Sequence, residues 1–188
     1  MRVIGGKYRS RRLQTLPGMD LRPTADRLRE TLFNVLTAGN PSALEGTVWI
    51  DLYAGTGAVG IEALSRGAGM VHFVDLSPRA VELIRRNLGS LELHAGFEVL
   101  KQDSIRALRE LDASGLQADF VFLDPPYRME EAYRQALEAM SNSGLLKAES
   151  IVIAEHSKKF DPGETFGRLR RSRKLVQGDA ALSFYRML

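Results

Sequence analysis

The sequence predicts an α/β fold: a mostly parallel β-sheet with helices on both faces and an antiparallel hairpin at its C-terminal end. Three observations predict it. Residues 48–63 read as strand, glycine turn and helix: an apolar run through Asp51, a turn carrying Gly55, Thr56 and Gly57, then an apolar helical pattern after Val59. Beyond them, continuous apolar runs alternate with amphipathic helical patterns, as in a parallel sheet buried on both faces. The last two apolar runs, 169–176 and 181–187, flank Gln177-Gly178-Asp179 and read as paired strands.

Near the start, Gly5-Gly6 can turn the chain between two short strands, and Lys7-Tyr8-Arg9-Ser10-Arg11-Arg12 follows. Alternation then puts Lys7, Arg9 and Arg11 on one face and Tyr8 on the other. Basic residues around an aromatic suit a nucleic-acid backbone; a frayed basic terminus is the alternative. Arg22-Pro23-Thr24 leads into a helix with Leu28, Leu32, Val35 and Leu36 on one face and Arg27, Arg29 and Glu30 on others. Thr24 is its expected N-cap and Gly39 its C′ residue. A linker over 41–46 divides this extension, residues 1–40, from a main domain at 41–188.

In the main domain, strands are expected at 48–53, 70–74, 97–100, 119–123 and 150–154. Helices are expected at 58–65, after Ser77-Pro78 with the serine as N-cap, after Ser104, and at 129–140. In the last helix Met129, Ala132, Tyr133, Ala136, Leu137 and Met140 repeat at the helical period and read as core.

With 188 residues the chain suits one sizeable domain and a small appendage. No apolar run reaches the roughly 18 residues of a membrane span. Residues 1–12 are basic but no apolar core follows, so no signal peptide is expected and the cytoplasm is the expected location. Cysteine is absent, which excludes disulfides, thiolate metal sites and cysteine nucleophiles. The net charge of +3 is unevenly spread. Residues 1–30 hold eight basic and three acidic side chains, and residues 158–174 hold seven and two. Basic ends around an acidic middle point to a polyanionic partner, a solvated charged surface being the alternative.

Asp51, Asp75, Asp103 and Asp124 each fall at or just past the C-terminal end of an expected strand, the edge where open α/β sheets bind ligands. A dinucleotide would use Gly55-Thr56-Gly57-Ala58-Val59-Gly60 and Asp75, leaving Asp51 and Asp103 without roles. A divalent metal would suit clustered carboxylates, but no phosphate-binding lysine motif accompanies them. His72, His94 and His156 are scattered, and no metal is expected. S-adenosylmethionine (SAM) uses all four acids. Asp51 would lie near the cationic methionine end, and Gly55 and Gly57 would leave room for the cofactor. Asp75 would accept from the ribose hydroxyls, and Asp103 from the adenine amine, with the Ser104 N–H on a ring nitrogen. Ala54, Thr56 and Leu76 lie on the same turns and complete the expected cofactor set.

Asp124-Pro125-Pro126-Tyr127, directly after a buried strand, is more specific than the glycine turn. The prolines fix the turn and remove N–H groups, so the Pro125 carbonyl can point into the site unpaired. Carboxylate and carbonyl make a pair of acceptors for the two hydrogens of an exocyclic amine, steering its lone pair at a sulfonium methyl. Tyr127 offers a face on which a flipped-out base can stack. The plain alternative is a rigid strand-end turn with a capping aspartate.

Residues 51–60 with 124–127 resemble class I SAM-dependent methyltransferases acting on base amino groups. Three further stretches narrow the resemblance: Ile4-Gly5-Gly6-Lys7-Tyr8-Arg9; Arg22-Pro23-Thr24 running into Asp26-Arg27-Leu28-Arg29-Glu30-Thr31-Leu32-Phe33-Asn34; and Gly178-Asp179-Ala180-Ala181-Leu182-Ser183-Phe184-Tyr185. Nearly the whole chain is similar to the bacterial RsmD family, 16S rRNA guanine-N2 methyltransferases. The resemblance implies a Rossmann-like sheet of seven strands with a small N-terminal extension. It implies SAM as cofactor, a guanine of small-subunit rRNA as target, and a small ribosomal subunit or its assembly intermediate as partner. The extension would close over the site, with Arg22 and Thr24 near it and Lys7, Arg9, Arg11 and Arg12 on the RNA; a monomer is expected. The family pattern often has Thr where this chain has Ala180, which leaves that residue's role open. The acceptor turn alone does not separate guanine N2 from adenine N6 or cytosine N4. A DNA amino-methyltransferase would usually bring a larger target-recognition domain. A non-catalytic RNA-binding assembly factor would need neither the acceptor turn nor the acidic set.

Overall fold

The computed structural model describes residues 1–15 and 23–188, with side chains from Asp26 onward in the second stretch. Its elements are α1 (Pro23–Leu36), β1 (Val48–Leu52), α2 (Ala58–Ser65), β2 (Met70–Asp75), α3 (Pro78–Ser90), β3 (Phe97–Lys101) and α4 (Ser104–Ala113). β4 (Ala118–Leu123), α5 (Glu130–Ser141), β5 (Leu146–Ser157), β6 (Thr165–Phe166), β7 (Leu169–Gln177) and β8 (Ala180–Met187) follow. The strands make one sheet in the order β3-β2-β1-β4-β5-β8-β7-β6. The first five in that order are parallel and the rest antiparallel. The sheet has eight strands rather than seven because the two-residue β6 adds to the edge beside β7.

β5 departs most from expectation. It starts at Leu146, which pairs with Ala118 of β4, and runs to Ser157, because β8 pairs with it as far as Ser157↔Ala180. Glu155 is therefore a strand residue, beside Leu182 of β8. The helix expected at 129–140 begins at Glu130; Met129 precedes it and is exposed, while Met140 is buried. Met129 is thus not core.

The period-two alternation of the strands sorts side chains onto two faces. Trp49, Phe73, Phe120, Phe122, Ile153 and Phe184 pack toward α1, α2 and α3, where Phe33, Ile61 and Ile84 meet them. Trp49 stacks between Phe33 and Phe120, with ring centroids 5.6 and 4.6 Å away. Ile50, Leu52, Val121, Leu123 and Val152 face α4 and α5, packing with Leu108, Tyr133 and Leu137. By the same alternation Asp51, Asp124 and Glu155 belong to the α1–α2 side.

The N-terminal segment does not form two strands. A single bridge, Arg2↔Arg12, closes a loop in which the Val3 N–H donates to the Arg11 carbonyl at 2.9 Å. Residues 7–10 are turn, so strand alternation does not apply to Lys7, Tyr8 and Arg9. Buried polar groups of α2 and α3 hold the loop instead. Glu62, fully buried, accepts the N–H of Ile4 at 2.7 Å and of Gly5 at 2.8 Å, and pairs with Arg66 at 2.8 Å. Ser65 accepts the Lys7 N–H on its carbonyl and the Tyr8 N–H on its hydroxyl. Gly6 has φ +74°, and a Cβ there would lie 1.8 Å from the Ser65 carbonyl oxygen, so glycine is required. Asn87 bonds both the N–H and the carbonyl of Gln14, and donates to the Thr56 carbonyl at 2.9 Å. Val3 and Leu13 complete the attachment by joining the core.

Arg29, expected away from the core face, is buried. Its guanidinium donates to the Arg2 carbonyl at 2.6 Å and to Asp26 at 3.1 Å, and lies 3.8 Å from Glu62. These partners offset the cost of burying the charge. Removing Glu62 leaves two partly buried N–H groups and two guanidinium groups without their shared acceptor. Glu62→Ala is expected to cost about 3–5 kcal/mol in urea unfolding, with the loop over 1–13 becoming a protease site; a loss under about 1 kcal/mol would contradict the clasp.

Candidate active site

The glycine turn follows β1 and is bonded to Val74 and Asp75 of β2, next to the point between β1 and β4 where the sheet order reverses direction, the usual ligand crevice of such sheets. Gly57, with φ +78°, occupies the N-cap position of α2 and has no side chain to cap it. Asp51 and Thr56 take over: Asp51 accepts the Gly60 N–H at 2.9 Å and Thr56 the Ala58 N–H at 3.3 Å. Asp51 is buried, and desolvation pushes its carboxyl up to about 8; the Gly60 N–H opposes this and nearby Asp75 adds to it.

Asp75 ends β2, accepting the Gly55 N–H on one oxygen at 2.9 Å and the Ser77 N–H on the other at 2.8 Å. It thereby ties the two turns together, and Leu76 beside it is 67 % exposed, an apolar surface open to a ligand. Ala54 is buried, its N–H on the Val74 carbonyl. Asp103 caps α4, one oxygen accepting from the N–H groups of Ile105 and Arg106. Ser104 is buried and donates to the Tyr53 hydroxyl at 2.7 Å.

Tyr53 escaped the sequence reading. Its φ of +59° is unusual for a non-glycine residue and breaks the strand alternation, turning the ring toward α4 and the side of Leu100 and Ile105. It lies within electrostatic reach of Asp75 and Asp103 and so borders the expected nucleoside side of the site.

Asp124 follows β4 between its neighbours β1 and β5, where Leu123 aligns with Leu52 and Ala154. Burial holds its carboxyl well above the usual range, and Glu155 and then Asp51 raise it further. Glu155 is the other residue missed, because its strand was expected to stop at Ala154. Burial pushes it up to about 7, against the Arg29 guanidinium and a hydrogen bond from Tyr127, which lower it. Pro125 is buried, and the Tyr133 hydroxyl lies 3.4 Å from its carbonyl, a long contact that leaves the carbonyl able to accept from a ligand. That hydroxyl makes its shorter bond, 2.8 Å, to the Glu155 carbonyl. Tyr133 has its ring in the core, as the helical period indicated, and its hydroxyl at the turn. Pro126 accepts the Met129 N–H at 2.7 Å, closing the turn, and Tyr127 is 41 % exposed.

Of the basic residues singled out, Lys7, Arg9, Arg11 and Arg12 are exposed. Lys7 lies over the Tyr8 ring and Arg11 donates to the Ser90 carbonyl at 2.6 Å. Arg9, Arg2 and Arg27 line a cleft of 430 Å³ between the loop and α1, together with Asp26 and Glu30. Arg22 lies outside the described residues; Thr24 lies within α1 rather than ahead of it, and its side chain is also outside them. In the C-terminal basic segment Arg171 and Lys174 pair with Asp161, and Arg168 donates to the Ser141 and Ser143 carbonyls. Much of that charge serves the fold. His156 is buried between Ser183 and the Ser157 carbonyl, and His72 bonds Glu98.

The family model described as Conserved hypothetical protein 95 matches residues 1–186. The chain belongs to this family, that of the RsmD methyltransferases. Ribosomal RNA small subunit methyltransferase D of Haemophilus influenzae is 35% identical over 159 residues, 84% of this chain and 79% of that one. The solved structure of yhhF from Escherichia coli superposes with a TM-score of 0.83 at 26% identity, covering 100% of this chain and 97% of its own. A more distant structure, complexed with SAH, shares the fold alone: TM-score 0.64, 16% identity, 86% of this chain and 48% of that one.

The residues present fit SAM. Among the described residues the buried Asp51 has no cationic partner, so a desolvated carboxyl beside the glycine turn lacks a counter-charge. A cofactor carrying a sulfonium and an ammonium supplies that charge. Asp75, Leu76, Tyr53 and Asp103 lie along the neighbouring strand ends, where its nucleoside would extend.

A carboxyl raised by folding binds its proton more tightly in the native state, so stability falls as pH rises from the unfolded value of 3.8 through about 8. The melting temperature of the cofactor-free enzyme is expected to fall between about pH 5 and about pH 8, and Asp51→Asn to flatten that slope. An unchanged slope in the variant would remove Asp51 as its source.

Proposed function

We propose that the enzyme methylates the exocyclic N2 amine of a guanine in 16S rRNA, within the small ribosomal subunit or an assembly intermediate of it. The observation that carries the reading is the Asp124-Pro125 acceptor pair beside the buried Asp51, at the crevice of a chain 35% identical to a small-subunit rRNA methyltransferase. Bound SAM supplies a methyl group on a positively charged sulfur, which leaves as a neutral thioether.

The protein's part is to hold a poor nucleophile in a reactive form. The amine lone pair of a base is delocalised into the ring. Asp124 and the Pro125 carbonyl accept its two hydrogens and favour a pyramidal nitrogen with the lone pair aimed at the methyl. Positive charge then grows on that nitrogen, and the Asp124 carboxylate stabilises it in a site where desolvation strengthens the attraction. The same raised carboxyl is suited to take the surplus proton once the bond has formed. The exposed ring of Tyr127 offers the flipped base a stacking surface.

Asp51, Gly55, Thr56 and Gly57 would hold the methionine end of SAM, with Asp75, Leu76, Asp103 and Ser104 at the nucleoside. Lys7, Arg9, Arg11, Arg12 and Arg22 would contact rRNA phosphates, with Thr24 near the target. Residues 1–40 would serve as the substrate-facing extension of the methyltransferase domain at 41–188. No helix among the described residues is long and apolar enough to cross a membrane. We read the enzyme as a cytoplasmic monomer that needs no metal. Asp124→Ala is expected to lower transfer at least about 100-fold while the melting temperature and SAM binding by calorimetry persist. Near-normal transfer would overturn the mechanism.

A further inference from the structure

We propose that Glu155 selects guanine, its carboxylate accepting the N1–H of the target base while Asp124 accepts from the N2 amine. The inference rests on the guanine-N2 reading above and supplies what the acceptor turn lacks, a means of telling guanine from the other amino bases.

The geometry starts from the sheet. β4 and β5 are parallel neighbours with Leu123 aligned to Ala154, so Asp124 and Glu155 are the next residues on adjacent strands. Neighbouring strands run about 4.8 Å apart, and alternation sends both side chains to the α1–α2 face. Each is within electrostatic reach of the other or of its partners: Glu155 acts on Asp124, and Arg29 acts on Glu155. Tyr127, the stacking residue, hydrogen-bonds the Glu155 side chain. Tyr133 holds the same strand position from behind, its hydroxyl on the Glu155 carbonyl at 2.8 Å. Glu155 is thus fixed between the residue that takes the amine and the ring that takes the base face.

The Watson–Crick edges of the three amino bases differ at the atom beside the amine. In guanine the N2 amine adjoins N1–H, a donor. In adenine the N6 amine adjoins N1, and in cytosine the N4 amine adjoins N3, both lone-pair acceptors. One carboxylate on the amine serves all three. A second carboxylate on the neighbouring atom accepts from guanine and repels the other two, leaving buried acceptors unpaired. The Arg29 charge and the Tyr127 hydrogen bond favour the carboxylate form of Glu155, against the burial that raises it to about 7.

The test uses small subunits reconstituted with rRNA carrying either guanine or 2-aminopurine at the mapped target. 2-Aminopurine keeps the amine but has an unprotonated N1. The wild-type enzyme is expected to prefer guanine by about 100-fold or more in kcat/KM. In Glu155→Gln the amide can donate to N1, and the preference is expected to shrink by about tenfold or more, with transfer to 2-aminopurine rising. A wild-type enzyme indifferent to the two bases overturns the proposal without any variant. So does a Glu155→Gln enzyme that loses equally on both, which would mark a structural role. If wild-type product from the guanine particles is not N2-methylguanine, the underlying function fails first, and the two failures are told apart.

Discussion

The burial of carboxylates at one edge of the sheet is the constraint on which the rest of the molecule turns. The register of β1, β4 and β5 brings Asp51, Asp124 and Glu155 to neighbouring strand ends, on the face shared with α1 and α2. Drawing three acids out of water, Asp51 fully and Asp124 and Glu155 in part, is unfavourable, and the protein offsets it sparingly: a Gly60 N–H for Asp51, the Tyr127 hydroxyl and the Arg29 charge for Glu155. Their raised affinity for protons is the measure of what is left uncompensated. A cationic methyl donor and a base edge rich in N–H groups supply the missing partners. The site is therefore less a preformed socket than a set of acceptors awaiting donors and positive charge.

The same edge is joined to the N-terminal loop through a short chain of buried polar groups. Asp51 bonds the start of α2, and Glu62 on that helix bonds the loop at Ile4 and Gly5. Arg29 of α1 reaches the loop at the Arg2 carbonyl, approaches Glu62, and acts on Glu155. Asn87 ties Gln14 to the carbonyl of Thr56 in the glycine turn. Exposed Lys7, Arg9 and Arg12 are thus carried on a segment fixed to the cofactor turn, so contacts with a polyanion there bear on the same rigid unit as the chemistry.

Much of this was legible from residue pattern alone, and the reason is physical. A parallel strand buried on both faces must be apolar until it reaches the ligand edge, so Asp51, Asp75 and Asp124 stand out as interruptions. Ser77-Pro78 announces α3 through capping chemistry that is local to the chain. What stayed hidden depends on contacts distant in sequence. Glu155 lay just past the expected strand end at Ala154, and pairing with β8 carries β5 beyond it. Arg29 lay off the apolar stripe of its helix, and its burial follows from Glu62 and Arg2. Tyr133 read as core by its helical period, whereas its hydroxyl reaches the Glu155 carbonyl and lies near that of Pro125. Tyr53 gave no sign of its backbone conformation.

The account is tested most directly by nucleoside mass spectrometry of rRNA after small subunits lacking the modification are incubated with the enzyme and isotopically labelled SAM. It predicts label in N2-methylguanosine at one position of the 16S rRNA. Label in N6-methyladenosine or N4-methylcytidine, or none in small-subunit rRNA at all, would contradict it.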